Sequence, residues 1–193
     1  MIENLLNIDQ RLFLFLNGLG TTSFDWFWMA LTSIFANVVV YFSCLTYLWF
    51  TKGTRETLLI LLVGLLLIGA TDQSTNFFKE TVERLRPCYE PSLEGLVRLV
   101  KQNCGGHYGF FSGHSSNSFG LAVLFSLILK TSSRIFPYVL LSIAGLIAYS
   151  RVYIGVHYPL DIISGAVFGS IYGVLFFLLY NYLRSKFLIQ SKI

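Results

Sequence analysis

Five stretches of this chain read as membrane spans, and a chain that crosses a bilayer five times has few folds open to it. A spanning helix takes about 20 predominantly apolar residues, because hydrocarbon offers no partner to backbone N–H and C=O groups. The stretches run from about Phe24 to Phe50, Thr57 to Phe78, His114 to Leu129, Ile135 to Tyr149 and Pro159 to Leu183. Asn37, or Ala36 before it, is the candidate break in the first. The second turns polar in its last turns, at Asp72, Gln73, Ser74 and Asn76. Of the 193 residues 54% are hydrophobic and only 12% charged, where a soluble domain carries about 25% charged residues. The expected architecture is all-α: one polytopic membrane helix bundle over residues 1–193. The net charge of +4 is spread over short loops, not gathered into the basic stripe that nucleic acid needs.

Residues 1–20 start with an acid, Glu3, and lack the basic opening of a secretion leader. Leu5, Ile8, Leu12, Phe15 and Leu19 recur at helical spacing, away from Asn4, Asn7 and Arg11, as in a helix lying in the membrane interface. Pro137 and Pro159 fall in first turns, where a missing donor costs least. Gly165, Gly169 and Gly173 give the last helix a small-residue face for close packing.

Loop charge sets the orientation. Segments 51–56, 130–134 and 184–193 hold Lys52, Arg55, Lys130, Arg134, Arg184, Lys186 and Lys192 against one acid, Glu56. The opposite side holds the other seven cations with nine acids. Short loops rich in Lys and Arg stay cytoplasmic, so loop 79–113 is expected outside. Cys88 and Cys104 lie 16 residues apart in that loop. They can pair in an oxidising compartment or remain free thiols, while Cys44 sits in an apolar run.

Three polar clusters then share the outer face. They are Lys79 with Arg86 and Pro87, Ser112-Gly113-His114, and Ser150-Arg151 with His157 and Asp161. Charge near a bilayer is costly and marks function. Lys79, Arg86 and Arg151 can neutralise a bound dianion, arginine's fork gripping two oxygens. Taken singly, Lys79 and Arg86 read as snorkelling side chains, and Glu80, Glu83 and Arg84 beside them as ordinary solvated charges. Ser112-Gly113-His114 opens a helix, where amides favour anions; its plainer role is an N-cap. His157 and Asp161 are one helical turn apart, so the carboxylate can hold one ring nitrogen and free the other. His107 is a loop residue without a role.

In order and spacing, Lys79-x6-Arg86-Pro87, Ser112-Gly113-His114 and Ser150-Arg151-x5-His157-x3-Asp161 closely resemble the type 2 phosphatidic acid phosphatase superfamily, whose signature vanadium haloperoxidases share. The family commonly has proline before the serine of the second motif; this chain has Phe111. The resemblance implies a catalytic set of His157 as nucleophile, Asp161 orienting it and His114 as general acid. Lys79, Arg86, Ser112, Gly113 and Arg151 would bind the phosphate. It implies a phosphohistidine intermediate and no cofactor, the three cations doing what a metal would do. The expected substrate is a lipid phosphate or diphosphate held in the bilayer, with undecaprenyl diphosphate favoured on the short helix plan. Phosphatidylglycerol phosphate, phosphatidic acid and lipid A phosphate are the alternatives. An intramembrane serine hydrolase built on Ser112, or a lipid transporter without turnover, makes less use of three cations.

Overall fold

The computed structural model describes residues 2–189; Lys192, counted above among the cytoplasmic cations, lies outside the described residues. Among the described residues seven α-helices are formed: α1 (Ile2–Gly18), α2 (Asp25–Leu31), α3 (Ile34–Lys52), α4 (Thr54–Val82), α5 (Gly113–Leu129), α6 (Ile135–Tyr153) and α7 (Pro159–Arg184). Among the described residues α3, α4, α6 and the helix beginning at Pro159 are long and apolar enough to cross a membrane. α5 is the fifth apolar helix, with 17 residues. The bundle's outside is greasy: Ile34, Phe35, Phe42, Phe50, Leu65 and Leu178 are all more than half exposed, as lipid-facing positions must be.

α5 is the central post. Eleven of its 17 residues are buried, Ser115, Ser116, Ser118 and Ser126 among them. α7 lies directly against it along the glycine face. A methyl at Gly165 would sit 2.6 Å from the Ser112 carbonyl and one at Gly173 2.7 Å from that of Gly120, while Gly169 would collide with Ser116. The small-residue stripe therefore sets the α5–α7 spacing, and with it the separation of the second and third motifs.

The first span is broken earlier than Ala36 or Asn37. α2 ends at Leu31 and Ser33 caps α3, its hydroxyl accepting from Ala36 N at 3.2 Å and donating to the Ala30 carbonyl at 2.6 Å. A capping serine overrides the apolar run around it. α2 instead turns onto α6, where Trp28 stacks on Tyr153 at 5.1 Å. α4 continues past Phe78 to Val82, so Lys79 belongs to its last turn and the connection to α5 is 83–112. α6 continues past Tyr149 to Tyr153, which places Ser150 and Arg151 inside the helix.

α1 exposes Leu5, Ile8, Leu12 and Phe15 and buries the opposite stripe, Asp9, Phe13 and Asn17. Asn17 clamps two parts of the bundle end. Its Nδ2 donates to the carbonyls of Val152, Tyr153 and Arg98 at 2.9–3.1 Å, and its Oδ1 accepts from Arg98 N at 2.8 Å. In the 83–112 connection Cys88 and Cys104 form a disulfide; Cys44 is buried and free.

Candidate active site

One cavity of about 700 Å³ collects six of the eight candidate site residues on its wall: Lys79, Arg86, Gly113, His114, Arg151 and His157. Five segments deliver them: the end of α4, the start of the long connection, the start of α5, the last turn of α6 and the α6–α7 turn.

Arg86 is 8% exposed and pinned along its length. Its backbone N–H donates to the His107 carbonyl at 3.0 Å, Nε to the Tyr108 carbonyl at 3.2 Å and Nη1 to the Val156 carbonyl at 3.3 Å. Nη1 also lies 3.4 Å from His157 Nε2. His107, without a role in the sequence, thus contributes its carbonyl, and its ring packs on Tyr89 at 4.5 Å. Arg151 donates through Nη1 to Thr32 in the α2–α3 break. Its Nε is buried with no partner among the described residues, a donor that an anionic oxygen can use.

His157 precedes α7, which starts at Pro159, so the one-turn spacing expected of His157 and Asp161 is closed by a cap instead. Asp161 Oδ2 accepts from the Tyr158 backbone N–H at 3.0 Å and lies 3.3 Å from His157 Nδ1. The tautomer that satisfies both sides carries its proton on Nδ1 and leaves the Nε2 lone pair facing the Arg86 guanidinium. Burial, then the charges of Arg86, Arg151 and Lys79, hold the His157 pKa well below the usual histidine value. Both effects favour the uncharged imidazole, in which the Nε2 lone pair is free.

Asp161 and Ser112 are not on the cavity wall. Asp161 stands behind His157. Ser112 is fully buried as the N-cap of α5, its Oγ accepting from Ser115 N at 3.4 Å and its N–H donating to the Asp161 carbonyl at 3.0 Å. A hydroxyl used this way is poorly placed to attack a substrate, which weighs against the serine hydrolase. Phe111, where the family commonly has proline, is fully buried and stacks on Phe168 at 4.8 Å. It anchors the entry to the second motif by aromatic packing.

The sequence reading missed four neighbours. Arg84 is no solvated charge: Nη1 donates to Asp161 Oδ1 at 2.8 Å and Nη2 to Asp9 Oδ2 at 2.5 Å, with its guanidinium 4.1 Å above the Tyr158 ring. The bridge between Leu85 and Tyr108 makes this segment extended, which turns residues 84 and 86 to one side. Asp9 also accepts from Leu160 N at 2.9 Å; burial pushes its pKa up, offset in part by Arg84. Its signal was the four-residue spacing of Asp9, Phe13 and Asn17. Thr32 holds Arg151. Gly109 lies so close behind His157 that a methyl there would sit 3.1 Å from Asp161 Oδ2.

The arrangement has known counterparts. The chain is 36% identical over 188 residues to a lipid A 4'-phosphatase of Porphyromonas gingivalis, covering 97% of this chain and 79% of the relative. It is also 36% identical to a lipid A 4'-phosphatase of Bacteroides thetaiotaomicron, covering 96% and 83%. A crystal structure of a transmembrane PAP2 type phosphatidylglycerolphosphate phosphatase from Bacillus subtilis superposes with a TM-score of 0.69 at 21% identity, over 95% of this chain and 88% of that one. Residues 57–185 match the family model of the PAP2 superfamily. With that match running from α4 through the last cation of α7, and with relatives that align along nearly its whole length, the chain belongs to the PAP2 superfamily of membrane phosphatases.

Proposed function

We propose that this chain dephosphorylates a lipid through a phosphohistidine on His157. The observation that carries the reading is His157 itself, held between Asp161 on Nδ1 and Arg86 beside Nε2. Nε2 attacks phosphorus, the phosphorus–oxygen bond to the lipid breaks, and His114 gives a proton to the leaving oxygen. Water, losing its proton to His114, then attacks the phosphohistidine, and phosphate leaves with Nε2 restored. Lys79, Arg86 and Arg151 offset the charge on the phosphoryl oxygens, and the Gly113 amide adds a donor. Ser112 supports that amide by capping α5.

The lipid we favour is a lipid A phosphate, because the two relatives aligned over 96–97% of this chain are lipid A 4'-phosphatases. Undecaprenyl diphosphate, favoured on helix plan alone, gives way to it. The Cys88–Cys104 disulfide supports an outward-facing, periplasmic site, since such bonds persist in oxidising compartments. Incubation with lipid A carrying ³²P is expected to label the wild-type protein with an acid-labile, base-stable phosphate, in EDTA as without it. His157→Ala is expected to take no label, to release no phosphate and to keep its melting temperature. Turnover by His157→Ala at the wild-type rate would refute the mechanism.

A further inference from the structure

The cavity does not change directly from cations to hydrocarbon. Asp72, Thr75 and Asn76 follow Lys79 down α4 at helical spacing, so the four share one face on the cavity wall. Asn117 and Ser118 follow His114 down α5 in the same way. These groups are organised before any ligand arrives: Asn117 Nδ2 donates to Asp72 Oδ1 at 2.9 Å, and Thr71 donates to Asn117 Oδ1. The Thr75 hydroxyl is different. It is 2% exposed, stands on the cavity wall and has no hydrogen-bond partner among the described residues. A buried polar atom without a partner, at the edge of a cavity, points to a ligand that supplies one. Below this band the wall is Leu61, Leu65, Ile68, Phe42 and Leu45.

The order along the cavity is therefore cationic, hydrogen-bonding, apolar. Asp72 lies seven residues from Lys79, roughly 10 Å along the helix axis. That distance fits a phosphate followed by one hydroxylated ring. It does not fit a polyprenyl chain, which is hydrocarbon from its first carbon and would strip water from the Asp72 carboxylate without returning a hydrogen bond. Resting on the phosphatase reading above, we propose that Asp72, Thr75 and Asn117 form a subsite for the sugar or polyol that carries the phosphate. The subsite makes the site selective for glycolipid phosphates over polyprenyl ones, with acyl chains continuing into the apolar section. Asp72 accepts from a ring hydroxyl or amide N–H, and Thr75 pairs with a ring oxygen or hydroxyl.

The test compares wild type, Asp72→Ala, Asp72→Asn and Thr75→Val in detergent. Phosphate release is measured from lipid A, from undecaprenyl diphosphate and from p-nitrophenyl phosphate, which has neither sugar nor chain. Asp72→Ala is expected to lose roughly 10–100-fold in kcat/KM on lipid A and less than about threefold on the other two. Asp72→Asn keeps an acceptor for Asn117 and Thr75→Val keeps the side chain's shape; both are expected to show the same selectivity at wild-type melting temperature. Equal losses on all three substrates, or no loss on lipid A, would overturn the subsite and leave the phosphatase standing. Failure of the wild type to release phosphate from either lipid would overturn both.

Discussion

Arg84 is shared by two buried carboxylates, Asp9 from α1 and Asp161 behind His157. Removing one partner of such a group leaves uncompensated buried charge, a cost of about 3–5 kcal/mol. Arg84→Ala is therefore expected to unfold at lower temperature as well as lose activity. Asp9→Asn is more diagnostic. It leaves Arg84 to draw on Asp161 alone, weakening the carboxylate's hold on His157. The expected result in steady-state kinetics is a kcat lower by about tenfold with KM within twofold, and partial recovery in Asp9→Glu. A lower melting temperature with kcat intact would make the contact a structural brace only. At this scale the sequence was legible where motif spacing spoke. Lys79, Arg86, His114, Arg151 and His157 all stand on one cavity wall. It was silent where a partner came from far along the chain: nothing near Asp9 announces a residue 75 positions away.

Spans were easier to read from hydropathy than their ends. The break at Thr32-Ser33 and the extensions of α4 and α6 were decided by single caps and by helix continuation into the polar end, which an apolar count does not weigh. The glycine face of α7 was readable because its spacing has one packing use. It also bears a sharp consequence. Gly169 faces the Ser116 backbone, where a side chain has no room, so Gly169→Val is expected to push α7 from α5 and carry His157 and Asp161 away from His114. Overpacking of this kind costs about 1–3 kcal/mol. Thermal unfolding and phosphate release should fall together in Gly169→Val, while Val167→Ala, on the exposed side of the same helix, should change neither appreciably.

The molecule as a whole is a greasy bundle with one worked end, where α1, α2 and the 83–112 connection gather over the five apolar helices α3 to α7. If that end is outside the cell membrane, the cysteines there are oxidised in the native protein. In intact cells a membrane-impermeant maleimide is expected to label Cys88 and Cys104 only after reduction, with buried Cys44 unlabelled in both conditions. Labelling that requires membrane permeabilisation would invert the orientation. α5 bears on how such a bundle is made. It is short, carries four serines, Asn117 and His114, and turns nearly all of them toward protein. Such a segment gains little by partitioning into lipid alone. Its stable integration is therefore expected to wait on α6 and α7, the helices that cover most of it.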